Sequence, residues 1–318
     1  MHRLTRWSFG LRSNIGLRRP PSKGLGIRKY ASLSDEPEEY EDFGQYSIIL
    51  PEEPFVFGVS HIQPLSTPDG IIKPDYVLQP HLSQHDIANS SPGKIKLNTQ
   101  EEIRLREAAK LAKSVREFAG SLVHVGVTTN EIDRKIHDFI IKHQAYPSPL
   151  LYSGFPKSCC TRCVGKASPD VSVCTLLIPS APHSINNIIA HGIPDDRPLE
   201  DGDIVNIDVT VYLDGFHGDT SQTFLVGDVD NPGKELVEIT NMALQKAISI
   251  CEPGRPFKEI ARAIQDLIGD KNYSVSPQFT GHGIGKVFHS PPWILHHPND
   301  EPGVMQLGHS FTIEVSRP

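Results

Sequence analysis

Over residues 204–225 apolar and polar positions alternate. Val205, Ile207, Val209 and Val211 take one phase, and Asn206, Asp208, Thr210 and Tyr212 the other. Period two marks a strand with one buried face, because successive side chains point to opposite sides of the pleat. Asp214-Gly215 then interrupts the pattern, a pair suited to a two-residue hairpin turn. With that pair as the loop, Asp208 lies opposite Ser221. Asp219, two residues from Ser221, shares the face on the diagonal, close enough for both acids to reach one cation.

Elsewhere the period lengthens. Thr99 and Glu102 have capping-box spacing, and Ile103, Leu111, Val115, Phe118 and Leu122 recur at helical intervals before Gly126. Thr128 and Glu131 form a second box, followed by Ile132, Ile136, Phe139 and Ile140 on one face. A related pattern returns 128 residues later. Gly126, Glu131, Ile132 and Ile136 match Gly254, Glu259, Ile260 and Ile264, and Ser148-Pro149 matches Ser276-Pro277. A preceding helix also recurs, with Leu236, Ile239, Ala243 and Ala247. This predicts a duplicated unit of two helices followed by strands. Two such halves would build one α/β (α+β) domain with a cleft between them.

Charge divides the chain. Residues 1–34 carry Arg3, Arg6, Arg12, Arg18, Arg19, Lys23, Arg28 and Lys29 and no acid. An Arg-rich, Ser-containing, acid-free start without a long apolar core fits an organelle-import peptide; the alternative is a disordered or nucleic-acid-binding basic arm. Taking those eight from the 31 basic residues leaves 23 against 38 acids. A body so acidic argues against nucleic acid as a partner, since phosphate neutralisation needs Lys and Arg. Residues 35–98 carry eight prolines and an acidic run from Asp35 to Asp42, and read as a linker, with order beginning at Thr99. No stretch approaches the ~20 apolar residues of a membrane span. Five cysteines in 318 residues are too sparse for a disulfide framework.

Two carboxylates aimed at one spot repel each other and lose hydration, and a divalent metal offsets both effects. The plainer alternative is a solvated polar hairpin face. Downstream, His282 sits among three glycines in Gly281-His282-Gly283-Ile284-Gly285, and His289 follows. Glu314 lies in the short apolar run Phe311-Thr312-Ile313-Glu314, where a carboxylate wants a cation or a donor. His191 ends the apolar run Ile188-Ile189-Ala190. Mixed oxygen and nitrogen donors suit Mn, Fe, Co or Zn.

On these residues the chain resembles the type 1 methionine aminopeptidases, and its start suggests their mitochondrial form. The segments that carry the resemblance begin at Ala145 (Ala-Tyr-Pro-Ser-Pro-Leu), Gly154 (Gly-Phe-Pro-Lys-Ser), Ile185 (Ile-Asn-Asn-Ile-Ile-Ala-His-Gly-Ile-Pro), Asn206 (Asn-Ile-Asp-Val-Thr), His217 (His-Gly-Asp-Thr-Ser), Gly281 (Gly-His-Gly-Ile-Gly) and Phe311 (Phe-Thr-Ile-Glu). The resemblance implies the pita-bread fold, two pseudo-two-fold-related α/β halves around a centre of two divalent metal ions (Co, Mn, Fe or Zn). It implies Asp208, Asp219, His282 and Glu314 as metal ligands, with Asp219 bridging. It implies His191 and His289 as catalytic groups that contact the substrate, and Tyr152, Phe155, Cys160 and Phe288 as the methionine pocket. The implied reaction is metal-assisted hydrolysis of the first peptide bond of newly made proteins whose second residue is small. The implied setting is a monomer in the mitochondrial matrix.

Two departures accompany the resemblance. The family has a second Glu, a fifth ligand, beyond Thr-Ile-Glu, and here four residues follow Glu314, so the C-terminal strands are expected to be missing, the metal centre incomplete and activity reduced. Residues 162–183 form an insertion, expected to be a loop with unpaired thiols. Cys160, Cys163, Cys174 and His183 offer the alternative of a zinc site there. Residues 99–318 are thus read as an incomplete aminopeptidase domain. An Xaa-Pro peptidase of the same fold, or a non-catalytic module that binds N-terminal peptides, remains as the alternative.

Overall fold

A computed structural model describes residues 59–164 and 192–315, apart from 60, 82, 92, 270 and 272. His191, Cys174 and His183 lie outside the described residues. Two large apolar cores, with a smaller third one of Ile71, Tyr146 and Leu150, organise the described residues. The first joins Ala112, Val115 and Ala119 to Ile132, Ile136, Ile140, Val205, Ile207, Val209 and Val211. The second joins Ile239, Ala243, Ala247, Ile260, Ile264, Ile294 and Met305.

Around the first core pack α3 (Gln100–Leu122), α4 (Thr129–Lys142) and a four-stranded antiparallel sheet. The sheet consists of β1 (Tyr146–Pro147), β2 (Cys160–Val164), β3 (Ile204–Leu213) and β4 (Phe216–Leu225). β3 is central, paired with β1, β2 and β4. The β3–β4 register runs from Ile204 opposite Leu225 to Leu213 opposite Phe216, with Asp208 opposite Ser221. Asp214 and Gly215 make the turn with φ of 49° and 89°, the left-handed pair that hairpin twist favours. α4 opens on the full reciprocal box between Thr128 and Glu131. α3 opens differently from the expected box. Thr99 Oγ1 accepts from Glu101 N–H, while Glu102 accepts from Asn98 N–H one residue outside. α3 buries Ala108, Ala112, Val115 and Ala119, not Ile103, which is 49% exposed. Small residues are required because α3 crosses β4 closely: a Cβ on Gly218 would lie 2.3 Å from the Ala108 carbonyl carbon.

The second core is built from α5 (Asn231–Ser249), α6 (Lys258–Ile268), β5 (Thr280–Gly283) and β6 (Ser290–Leu295). The repeat is visible in three dimensions. Gly126 and Gly254 both take positive φ, 90° and 94°. Their N–H groups donate to Leu199 and Met305 carbonyls, each at 2.8 Å, and Ile132, Ile136, Ile260 and Ile264 are all fully buried.

Two stretches differ from the sequence reading. Residues 61–98, expected as linker, contain α1 (Asp75–Leu78) and α2 (Gln84–Ser90) and bury Ile71, Tyr76 and Ala88. Single large apolar residues between prolines dock there without any helical period to announce them. The start of the expected insertion is strand, not loop: Arg162, Cys163 and Val164 complete β2 opposite Asn206, Val205 and Ile204.

Candidate metal centre

The β3–β4 ladder sets the first two acids. Asp219 faces Thr210 across the hairpin, and Thr210 Oγ1 donates to Asp219 Oδ1 at 2.8 Å. Asp208 is two residues before Thr210 on the same face, with Cys160 opposite it on β2. In the other half, His282 lies on β5. The 310–314 segment runs against it: Thr312 N–H donates to the His282 carbonyl at 2.8 Å, and His282 N–H donates to Thr312 Oγ1 at 3.0 Å. This approach depends on Gly281, whose added Cβ would lie 2.3 Å from the Thr312 carbonyl oxygen. Thr312 Oγ1 also donates to Glu314 Oε1 at 2.7 Å, and Glu314 N–H donates to Nε2 of the buried His296 at 3.1 Å.

Asp219, His282 and Glu314 converge, with one ligand atom from each lying within 4.8 Å of the others. His282 Nε2 stands 3.1 Å from Glu314 Oε1 and 3.6 Å from Asp219 Oδ2. Burial pulls His282 toward neutrality, but the adjacent Asp219 and Glu314 carboxylates outweigh that and push it up to about 10. Glu314, raised by burial, is drawn below the ordinary range by His282 and Thr312. Asp208 is held well above the ordinary range, first by burial, then by Asp219 and Glu314, against a smaller opposite pull from His282 and Arg162. It therefore feels the same charges, yet stands outside the tight group of three. Asp219 and Glu314 flank the His282 ring directly, whereas Asp208 feels it only as a smaller opposing pull.

Three carboxylates around one imidazole, partly out of water, form a donor set that fits a divalent cation. A metal would replace the His282 proton as the charge that holds the acids together.

The other expected residues surround this centre unevenly. Tyr152, on a short 3-10 turn (Tyr152–Gly154), holds His289: its hydroxyl is 2.9 Å from His289 Nδ1. Phe288 packs edge-on to Tyr152 at 5.0 Å and stacks on His289 at 4.0 Å. The His289 and His282 rings are 4.3 Å apart, so the aromatic wall adjoins the centre. Burial and then Asp208 and Asp219 push the Cys160 thiol far up, which keeps it a neutral wall group. Phe155 is half-buried beyond the turn and makes no ring contact with Tyr152, Phe288 or His289 among the described residues. Gly192, next to the undescribed His191, accepts from Thr161 N–H at 3.0 Å.

Sequence reasoning missed Thr210 and Thr312, which aim the acids, and His217, which ties the halves together. His217 N–H donates to the Gly285 carbonyl at 2.8 Å, its Nδ1 pairs with Ser148 Oγ, and its ring stacks on Phe288 at 5.1 Å. Burial, then His289 and His282, lower it to about 3, so it is neutral. Its place in the His217-Gly218-Asp219 segment was the available signal.

A partly buried carboxylate pair from one half facing an imidazole and a carboxylate from the other defines a metallohydrolase type of site. Residues 103–316 match the model of metallopeptidase family M24, and the chain belongs to that family. It has the pita-bread fold of that family. Methionine aminopeptidase 1D, chloroplastic/mitochondrial, of Arabidopsis thaliana is 52% identical over 210 residues, 66% of this chain and 54% of that protein. Methionine aminopeptidase 1D, mitochondrial, of Homo sapiens is 44% identical over 270 residues, 85% of this chain and 70% of that protein. The chain thus spans about half the length of the first relative and 70% of the second. The crystal structure of methionine aminopeptidase from Rickettsia prowazekii aligns with a TM-score of 0.60 at 41% identity, covering 70% of this chain and 81% of that one.

Proposed function

We propose that the protein is a metal-dependent aminopeptidase that removes the first methionine from newly made proteins whose second residue is small. The observation that carries this reading is the convergence of Asp219, His282 and Glu314 beside the wall of Tyr152, Phe288 and His289. Those three residues with Asp208 would hold divalent metal, Mn, Fe, Co or Zn. When bound, such an ion supplies Lewis acidity, polarising a carbonyl and making water more acidic.

The chain's own residues do the rest. Thr210 fixes the Asp219 carboxylate and Thr312 that of Glu314, so both acids are oriented before any ligand arrives. His282 must lose its proton before Nε2 can act as a donor atom. Tyr152 and Phe288 offer aromatic faces to a thioether, a contact that suits methionine. With Nδ1 engaged by Tyr152, His289 would use Nε2 to steady the oxyanion that forms at the scissile carbonyl. His191 would serve as the second imidazole on the substrate. Phe155 and Cys160 would complete the pocket. Residues 1–34 would direct import, and the working place would be the mitochondrial matrix; the names of the human and Arabidopsis relatives, mitochondrial and chloroplastic/mitochondrial, support an organelle. The protein would act as a monomer.

The test is methionine release from Met-Ala-Ser while Mn(II) is titrated into the purified chain, with a Met-Pro peptide in parallel. Release that rises and saturates with Mn(II), faster for Met-Ala-Ser, supports the reading. No release at saturating metal, or a preference for Met-Pro, overturns it.

A further inference from the structure

The family match begins at residue 103, so the docked stretch 61–98 lies outside it. This stretch reaches both halves. Ile71 and Val77 pack with Tyr146, Leu150 and Tyr212, and the Ser66 carbonyl pairs with the buried His137 at 3.0 Å. Farther along, Ile95 N–H donates to the Gly308 carbonyl at 2.8 Å, and Lys94 bridges to His309. Between these anchors Tyr76 enters the wall of the cleft. It is 7% exposed, and its hydroxyl donates to the Ser148 carbonyl. Its ring meets Tyr152 edge-on, with centroids 5.0 Å apart at 87°. On another side it lies near-parallel to His217 at 6.3 Å.

Tyr152 is the one ring of the aromatic wall that also hydrogen-bonds His289, among the described residues. It sits on a turn with strained backbone: Leu151 and Ser153 both take positive φ, 64° and 49°. A side chain on such a turn depends on neighbours to hold its ring. Phe288 supports it from the second half and Tyr76 from the upstream stretch.

We propose that Tyr76 is a positioning residue for the cleft: through its edge-to-face contact it fixes the Tyr152 ring, and through Tyr152 the placement of His289 and of the methionine-facing wall. The upstream stretch is then part of the substrate site and not a passive tether. The inference rests on the methionine-peptide reading above, so its test has one arm that needs no turnover.

The experiment uses the full chain with Mn(II) and compares wild type, Tyr76→Leu and Tyr76→Phe. Steady-state kinetics on Met-Ala-Ser form one arm, and NMR of ring-labelled tyrosine, with Tyr152 assigned by its Phe variant, forms the other. Leu keeps apolar bulk but removes the ring edge. Tyr76→Leu is expected to raise KM about fivefold, as loss of one aromatic pair would, and to lower kcat as well, since His289 would shift with Tyr152. It is also expected to move the Tyr152 ring resonances. Tyr76→Phe is expected to restore both KM and the Tyr152 resonances. If Tyr76→Leu does not fold, Tyr76→Met, flexible and apolar, takes its place with the same expectation. A folded Leu or Met variant with wild-type KM and unmoved Tyr152 resonances overturns the proposal. So does failure of Tyr76→Phe to restore them, which would give the role to the hydroxyl. If wild type does not cleave Met-Ala-Ser, the functional reading fails, and the Tyr152 resonances alone decide on Tyr76.

Discussion

The two halves solve one problem in different ways. In the first half, Asp208 and Asp219 stand on a ten-rung antiparallel ladder whose register dictates where they point. In the second half, β5 has four residues with an irregularity directly after His282, and Glu314 lies beyond any strand. Glu314 is held by single hydrogen bonds from Thr312 and to His296, and its side chain is 41% exposed. A duplicated unit therefore supplies one rigid jaw and one tuned by side chains. Loss of a side-chain partner is expected to cost the second half more than the first.

The largest effect is expected at the centre itself, where the two halves meet. Replacing His282 by Ala leaves Asp219 and Glu314 facing each other with no positive charge between them. Mn(II) affinity, read by calorimetry, is expected to fall by more than the ~10–100-fold that supporting partners carry. An unchanged affinity would remove His282 from the centre.

A sharper test sets the two threonines against each other. Thr312→Ala is expected to weaken Mn(II) binding near the upper end of ~10–100-fold, and Thr210→Ala near the lower end. The ladder keeps Asp219 in place without its hydroxyl, whereas Glu314 has no ladder. Equal effects, or the reverse order, would contradict the contrast between the jaws.

The glycines give a pair of smaller effects. Gly218→Ala forces α3 off β4 and is expected to cost ~1–3 kcal/mol, seen as a lowered denaturation midpoint. Gly281→Ala pushes against the Thr312 backbone and is expected to show first in Mn(II) affinity, with a smaller change in midpoint. If Gly281→Ala lowers the midpoint as far as Gly218→Ala does, the second jaw is as rigid as the first.

The smallest effect concerns Asp133, buried in α4, whose Oδ1 accepts from Ser158 and Cys159 N–H while Oδ2 has no partner among the described residues. Burial raises its pKa, against a smaller opposing pull from Lys157. The native state then holds its proton more tightly than the unfolded chain. Its ionisation therefore erodes stability as pH rises above the ordinary Asp value of about 3.9. Asp133→Asn keeps the Oδ1 acceptor and removes the charge. Melting curves from pH 4 to 8 should show the wild type losing ground to the variant as pH rises, and parallel curves would count against it.

What could be read in advance follows a physical division. The β3–β4 hairpin was legible because alternation and an Asp-Gly turn together leave one register, and that register puts Asp208 and Asp219 on a common face. α4 was legible through Thr128, Glu131 and three buried isoleucines. α3 misled at Ile103, because a helix that crosses a strand backbone closely buries alanines, and alanines make a faint stripe. Tyr76 and Ile71 went unseen, since isolated apolar residues among prolines have no period. Thr210 and Thr312 were invisible because an aiming hydroxyl looks like any other. The diagonal of Asp208 and Asp219 was readable, but not that Asp219 alone of the two would stand in the close group with His282 and Glu314.

The proposed centre gathers acids and an imidazole from both halves around a divalent ion. Crystals grown with Mn(II), measured for anomalous scattering, test it most directly. A strong peak is expected within bonding distance of Asp219, His282 and Glu314, with Asp208 turned toward it. A map with no peak there, or with its peak at other side chains, would contradict the account.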